Sequence, residues 1–308
     1  MGRYLLGRLA NAAVALATVL LLVFFLIHLV PGDPARAMLG EGAASANVAA
    51  LRAKLGLDRP LPAQLTTYVV GLVHMDLGRS LRSGRPVAQL LAKRCPQTLL
   101  LGVSVLLLAG TLAIPFGIFA ALGRHPVGSA FVRIGSSVAI VLPAFVLGPA
   151  LVMVFSLALG LLPVSGGNSL SHLVLPAVTL GLPFAALLTQ LLEQRLRDEL
   201  RSDYVRGLRA WGVEEKRIMW RHVAPNALVP LISIVALHSG ALLSGVVVTE
   251  TIFGWPGIGR LLVDAIAGRD YPVVQGCVLS VACTYVVVNL AGDMIQAALD
   301  PRLRDGLR

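Results

Sequence analysis

The chain has 308 residues, of which 56% are hydrophobic and only 14% are charged. Soluble domains carry roughly 25% charged residues, and the apolar residues here form long runs, which excludes a disordered chain and indicates several membrane-spanning helices. The formal net charge of +10 is typical of basic loops that face anionic membrane lipids, so we predict no nucleic-acid partner.

Six apolar runs are long enough to cross a membrane as helices. They occupy residues 9–30, 98–122, 134–162, 173–192, 227–252 and 273–299. The first run resembles a signal peptide, but it is too long for one and further runs follow, so we predict an uncleaved span. The fold class is therefore predicted to be an all-α integral membrane protein with six transmembrane helices.

Basic residues predict the orientation of these spans. Arg3 and Arg8 place the N-terminus in the cytoplasm, and alternation puts residues 193–226 and the C-terminus on the same side. Residues 31–97 then form a large external segment despite nine basic residues, because long segments translocate largely regardless of charge. The predicted regions are an N-terminal region with the first span (1–30), an extracytoplasmic segment (31–97) and a core domain with five spans (98–308).

The fifth predicted span carries a polar residue deep inside the membrane. His238 is a candidate for lining a transport pathway, because ionisable groups within spans are costly and often functional. A hydrogen-bonded interior histidine is the alternative. Ala236, Gly240 and Ser244 recur every four residues on the same helix, and such small residues let helices approach closely. They predict a helix interface, with the partner either in this chain or in another.

Charged residues crowd into the segment between the fourth and fifth spans. Two short helices are predicted there, joined at Gly212, which suits a helix C-cap because a left-handed backbone is accessible to glycine. Tyr204, Leu208 and Trp211 share one face of the first helix, and Pro225 is expected to break the second.

This elbow, defined as residues 203–226, is predicted to lie at the cytoplasmic surface. It would contact either lipid headgroups or a soluble protein. Acidic residues within and before it, such as Asp203 and Glu215, would be repelled by an anionic leaflet, which weighs against lipid.

Several motifs resemble binding-protein-dependent ABC importer permeases, most of all the dipeptide and oligopeptide (DppB/OppB-type) group. In the elbow region, which corresponds to the coupling (EAA-type) loop at about 193–226, they are Asp203-Tyr204-Val205-Arg206, Ala210-Trp211-Gly212, Arg221-His222 and Asn226-Ala227-Leu228. Elsewhere they include His28-Leu29-Val30-Pro31-Gly32-Asp33-Pro34, Asp76-Leu77-Gly78-Arg79-Ser80, Glu250-Thr251-Ile252-Phe253-Gly254-Trp255-Pro256-Gly257 and Arg269-Asp270-Tyr271-Pro272.

This resemblance implies the type I ABC importer permease fold and an elbow that seats in a groove of a cytoplasmic ATPase. One or two ABC ATPase subunits would bind ATP and Mg, while this chain binds no cofactor and is no enzyme. A second homologous (DppC/OppC-like) permease and an extracytoplasmic peptide-binding protein, docking near Arg79 and Arg82, would complete an importer in the bacterial cytoplasmic membrane. The implied ATPase-coupling residues are Asp203, Tyr204, Arg206, Leu208, Ala210, Trp211, Gly212, Glu215 and Arg221.

The chain also departs from the family pattern. It has Gly207-Leu208 where Thr-Ala is common, and Trp211 where a basic residue usually precedes the glycine, which predicts a more apolar ATPase contact. Its three lysines lie outside any phosphate-binding Gly-rich pattern, so ATP hydrolysis is expected on another polypeptide.

Other functions remain open at this point. An ion-gradient-driven secondary transporter would need buried ionisable groups and inverted repeats, and only His238 lies deep. An intramembrane protease built on Ser239, Ser244, His172 or His238 lacks any marked oxyanion site. Within the ABC importers, nickel, glutathione and haem are alternatives to di- or oligopeptides as cargo.

Overall fold

The computed structural model describes residues 2–29, 42, 44–55, 58–167 and 169–299. Those residues form helices and no strand, which confirms the all-α prediction for the described part of the chain. The helices are α1 (Gly2–Leu29), α2 (Ser45–Leu55), α3 (Leu61–Val73), α4 (Val87–Leu122), α5 (Pro126–Val141), α6 (Ala144–Leu151), α7 (Ser171–Leu200), α8 (Asp203–Ala210), α9 (Glu215–Ile218), α10 (Ala224–Ile252), α11 (Ile258–Ala267) and α12 (Tyr271–Leu299). Wider π-helical turns follow α6 at Val152–Ala158 and α9 at Met219–Val223.

Four helical runs are long and apolar enough to cross a membrane. They are Val87–Leu122, Ser171–Leu200, Glu215–Ala236, which enters α10, and Tyr271–Ile295. The pair Pro126–Val141 and Ala144–Ala158 adds a fifth if it is one bent span. The apolar stretch recognised within α1, Ala10–Phe25, is shorter. Six spans, and the sidedness of the loops, therefore stay predictions.

The span predicted at residues 134–162 is not one continuous helix, because the chain bends by 107° between α5 and α6. Pro143 causes this break. The residue before a proline is disfavoured in the helical conformation, and Leu142 indeed has an extended backbone, with ψ 114°. A new helix starts after Pro143 and contains Pro149 without ending there.

Two predicted spans are parts of longer helices. The helix α4 begins at Val87 rather than at residue 98, so the predicted boundary between external segment and core lies inside a helix. The helix α7 continues to Leu200, past the predicted end at residue 192, and carries the charged start of the predicted coupling loop.

The chain divides into two compact units. The first comprises residues 99–255 and the described residues from Tyr285 onward, and the second comprises residues 2–98 and 256–284. In the first unit, apolar residues of α4 and α7 pack with the inner residues of the elbow, including the buried Leu192 and Leu196. In the second unit, Val87 and Cys277 lie fully buried in a core shared by α4, α11 and α12.

Candidate functional site

The first elbow helix, α8, starts after an extended residue and ends at a glycine. Ser202 has ψ 155° and its carbonyl accepts the first helical bond, from the Arg206 N–H at 3.2 Å. Asp203 lies in the first turn and Arg209 in the last, where their charges complement the helix dipole. The local sequence therefore sets where this helix begins and where it ends.

Gly212 closes α8 with two reversed hydrogen bonds. Its φ is +74°, which is the left-handed region. The Gly212 N–H bonds the Arg209 carbonyl at 3.0 Å, and the Val213 N–H bonds the Leu208 carbonyl at 3.1 Å. This is the Schellman arrangement, and Leu208 and Val213 both pack against the same apolar cluster, as is common in this motif. The backbone predicted at Gly212 is the one observed.

The second elbow helix continues into the following long helix. After α9, the π-helical turn Met219–Val223 leads directly into α10 at Ala224. The predicted break at Pro225 is wrong. A proline has no N–H to offer the carbonyl four residues back, and its ring crowds that carbonyl. The wider turn precedes Pro225 and lets the helix run on.

An ion pair joins the two elbow helices across Gly212. The Arg209 guanidinium donates to both carboxylate oxygens of Glu215, at 2.6 and 3.2 Å, and also to the Leu200 carbonyl at 3.4 Å. The hydrogen bond from Arg209 lowers the pKa of Glu215, and the same bond raises the pKa of Arg209. Both side chains are exposed, so the pair contributes only about 0–1 kcal/mol. The pair matters for geometry rather than for stability, because bidentate hydrogen bonding fixes the orientation of the two side chains and so of the two elbow helices.

Sequence reasoning did not select Arg209. The signal was available, since Arg209 and Glu215 stand three residues either side of Gly212 with opposite charge.

Tyr204 ties the elbow to both long helices that flank it. Its hydroxyl donates to Glu199 Oε2 at 2.7 Å on α7 and accepts from Asn226 Nδ2 at 3.4 Å on α10. Burial is the main cause that raises the pKa of Tyr204, followed by its hydrogen bond to Glu199. Tyr204, which was predicted to lie on an apolar face, therefore forms a polar bridge between α7 and α10.

The elbow has an apolar inner face and an exposed outer face. Val205 and Ile218 are fully buried in the α7 core cluster, together with Met219 and Val223. The helix face predicted from Tyr204, Leu208 and Trp211 does not coincide with this buried face. Among the predicted coupling residues Leu208 is partly buried, and the exposed ones are Asp203, Tyr204, Arg206, Ala210, Trp211, Gly212, Glu215 and Arg221.

Trp211 is the most prominent residue of the outer face. Its side chain is 85% exposed, more than any other large hydrophobic side chain in the described ranges. Asp203 and Arg206, nearer the start of α8, form an exposed ion pair. A large aromatic residue among charges, outside the apolar helical runs, is typical of a contact residue for another protein.

A buried carboxylate fastens α5 and α4 to α7 near the elbow. Glu193 accepts from Arg133 Nε at 2.7 Å and from Arg197 Nη2 at 2.8 Å. Arg197 also donates to the Ala120 carbonyl at 3.0 Å. Sequence reasoning missed this cluster, because Arg133 and Glu193 are 60 residues apart and only the fold brings them together. An open cleft of about 270 Å³ lies beside it, lined by Gln190, Glu193, Gln194, Arg197, Asp198 and Arg201.

The predicted pathway residues lie on α10 and are not brought together with the elbow. His238 is partly buried, whereas Ser244 is exposed. At Gly240 a Cβ atom would come within 2.9 Å of the Tyr285 ring, so α10 and α12 approach closely there. The small residue at this position thus serves a helix contact within this chain.

The two arginines predicted to dock a binding protein lie in the segment that was predicted to be external, residues 31–97. Arg79 and Arg82 are exposed on a tight turn between α3 and α4. Arg79 Nη1 donates to the Gly84 carbonyl at 3.2 Å within the same turn. These two arginines belong to the second unit, whereas the elbow belongs to the first.

Comparisons with known proteins match nearly the whole chain. Residues 113–305 match the family described as binding-protein-dependent transport system inner membrane component, and residues 1–102 match the N-terminal family of the same membrane components. The chain is 39% identical over 307 residues to the glutathione transport system permease protein GsiC of Pectobacterium atrosepticum, and 38% identical to GsiC of Escherichia coli K12. Each alignment covers 99% of both chains.

A solved structure shows the same fold. A chain of the MetNI methionine ABC transporter, in an inward-facing conformation, aligns with a TM-score of 0.55 and 18% identity. The alignment covers 69% of this chain and 97% of that one. The helices thus adopt the type I ABC importer permease fold, in a multi-pass protein of the cytoplasmic membrane. With family models that match both parts of the sequence and relatives that align along its length, the chain belongs to the family of inner membrane components of binding-protein-dependent transport systems, the non-catalytic permease subunits of ABC importers.

Proposed function

We propose that this permease subunit carries small peptides inward by alternating access, driven by ATP hydrolysis on separate subunits that contact the elbow. The observation that carries the proposal is the two-faced elbow. Its inner residues, such as Val205 and Ile218, are buried against α7, while Trp211 stands 85% exposed on the outside.

The elbow is held firmly enough to transmit movement. The Schellman closure at Gly212, the Arg209–Glu215 pair and the Tyr204 bridge fix it to itself and to both adjoining helices. A displacement of its outer face would therefore be passed to α7 and α10 rather than absorbed locally. Such rigid connection is what a lever between a soluble motor and membrane helices requires.

The partners follow from this arrangement. One or two soluble ABC ATPase subunits, which bind ATP and Mg, would seat the elbow in a groove. A second, homologous permease would complete the pathway, and an extracytoplasmic binding protein would deliver the cargo. The exposed Trp211 favours an apolar pocket in the ATPase groove, since a tryptophan buries roughly 150–250 Å² at a contact.

Replacement of Trp211 tests the ATPase contact. Trp211→Ala is expected to weaken ATPase binding to the reconstituted permease by about 30-fold, because interface tryptophans at hot spots are worth about 2 kcal/mol or more. Phe131→Ala on α5, where the side chain is 78% exposed but lies outside the elbow, is the matched control. Equal ATPase affinity in the Trp211 variant and the control would refute the elbow contact.

For the cargo, we propose peptides, with glutathione as the first compound to measure. The support is the 39% identity, over 99% of both chains, to proteins named as glutathione permeases. A strain that lacks the gene should lose ATP-dependent uptake of labelled glutathione or of a dipeptide series, and the restored gene should return it. Uptake that continues after ATP is depleted would refute ATP-driven import of that cargo.

A further inference from the structure

The turn between α3 and α4 is closed by its own backbone. Arg79 and Pro86 form an isolated antiparallel bridge, and the Ser80 N–H bonds the Arg85 carbonyl at 2.9 Å. The Gly84 N–H returns to the Ser80 carbonyl at 2.9 Å, with Gly84 in the left-handed region at φ +68°. We call residues 79–86 the basic turn.

A buried carboxylate from a distant part of the chain holds this turn. Asp270 Oδ2 accepts from the Ser80 hydroxyl at 2.5 Å and from the Arg82 N–H at 3.4 Å, and Oδ1 accepts from the Leu81 N–H at 2.9 Å. The Ser80 oxygen in turn accepts the Ser83 N–H at 3.0 Å. Ser80 and Asp270 are only 4% and 5% exposed. A carboxylate buried to this degree needs such donors, and the turn supplies three of them.

Four arginines surround this clamp and project from it. Arg79, Arg82, Arg85 and Arg269 are all exposed, and none forms an ion pair with a described residue. Arg79 is held within the turn by its bond to the Gly84 carbonyl, and Arg82 lies near Gly268, 3.5 Å from where a Cβ would be. The result is a group of four exposed guanidinium groups without an ion-pair partner among the described residues.

We propose that the basic turn together with Arg269 is the docking surface for a carboxylate-bearing face of the soluble binding protein, and that Asp270 is the positioning residue of that surface. This rests on the proposed function, which supplies such a partner. Clustered guanidinium groups suit carboxylates because each can bind one in bidentate fashion. Anionic lipid is the alternative occupant, because lipid phosphates also bind guanidinium groups, and the test below separates the two.

The clamp also joins the docking surface to a long helix. Asp270 immediately precedes α12, and its carbonyl accepts the Val274 N–H at 3.0 Å in the first turn of that helix. Its side chain meanwhile holds Ser80 and Leu81. A partner that pulls or presses on the basic turn therefore acts on the start of α12 through one residue.

The test measures binding of the cognate extracytoplasmic binding protein to the assembled transporter in lipid nanodiscs. Arg79→Glu and Arg82→Glu are each expected to raise the dissociation constant about tenfold or more, with a weaker salt dependence. Arg59→Glu is the matched control, because it makes the same change at an exposed arginine outside the turn. It should change the constant by less than about twofold, since lone rim charges contribute little.

Asp270→Asn separates positioning from simple charge. It removes an acid from a basic surface, so attraction alone predicts tighter docking of an acidic partner. Positioning predicts weaker docking, by about tenfold as in the arginine variants. Tighter or unchanged binding in Asp270→Asn overturns the positioning role. If that variant fails to assemble, Ser80→Ala, which removes only the donating hydroxyl, decides by the same criterion.

The remaining outcomes distinguish this inference from the proposed function. Unchanged docking in Arg79→Glu and Arg82→Glu, with reduced binding to phosphatidylglycerol vesicles, overturns the protein-docking surface and assigns the arginines to lipid. If the unaltered complex takes up cargo with ATP and docks the binding protein normally, the proposed function stands even when those variants refute the surface. If the unaltered complex neither hydrolyses ATP nor docks any binding protein, the proposed function itself fails.

Discussion

The elbow glycine at position 212 allows a prediction in which two identical chemical changes have opposite signs. Gly212→Ala places a side chain in the left-handed region, at φ +74°, where a Cβ would meet nothing within 4 Å. Only the backbone penalty then applies, which is about 1–2 kcal/mol for a non-glycine residue. Gly207→Ala, five positions earlier, also meets nothing within 4 Å but lies inside α8 with ordinary backbone. There alanine should stabilise the helix by about 0.5–1 kcal/mol.

Hydrogen exchange at the elbow measures both effects. A change of about 1–2 kcal/mol shifts a local opening equilibrium about 5- to 30-fold. The Gly212 and Val213 amides, which close the Schellman motif, should therefore lose about that much protection in Gly212→Ala. They should keep or gain protection in Gly207→Ala. Equal protection in the two variants would refute the argument that the elbow depends on a left-handed residue.

Three further predictions concern charge, pH and sidedness. Glu193→Gln should lower the free energy of unfolding by about 1–2 kcal/mol. The loss is smaller than for a fully buried pair because both partner arginines are partly exposed. A thermal midpoint within one degree of the unaltered protein would contradict this prediction. Because hydrogen bonding to Arg209 lowers the pKa of Glu215, the pair's contribution is complete above the ordinary glutamate value of about 4.3 and is lost as the pH falls through the lowered pKa. Elbow protection should decline with that pH change, and Glu215→Gln should abolish the decline; persistence of the pH dependence would assign it to another group. Ser83→Cys should react with a membrane-impermeant maleimide on intact spheroplasts, whereas Val127→Cys should react only after permeabilisation, and the reverse pattern would invert the predicted orientation.

Local rules explain what the sequence could predict. The apolar runs became helices because they are long, although the run at 134–162 divided at Pro143. The elbow formed around Gly212 because a glycine after a capped helix favours the left-handed C-cap. Helical spacing also placed Tyr204, Leu208 and Trp211 on a common face. It could not tell which side of α8 the core would occupy, and that side belongs to Val205.

The prolines show where local rules end. Pro176 and Pro183 lie inside α7 without ending it, while Pro143 separates α5 from α6 with a bend of 107°. Nothing in the immediate sequence distinguishes these cases, because neighbouring helices decide whether the freed carbonyls can be accommodated. The clamp between Ser80 and Asp270 was invisible for a related reason, since it joins residues 190 positions apart.

The π-helical turn Met219–Val223 makes one place in this helix tolerant of a change in length. An α-helix advances about 100° per residue, from its 3.6 residues per turn, so a residue lost from a regular part rotates everything before it by about that angle. A π turn is wider, with i→i+5 hydrogen bonds, and holds one residue more than an α turn. Loss of a single residue between 219 and 223 would therefore return the turn to regular helix and leave Trp211 facing much as before, whereas loss of one from α10 would turn the whole elbow about the helix axis.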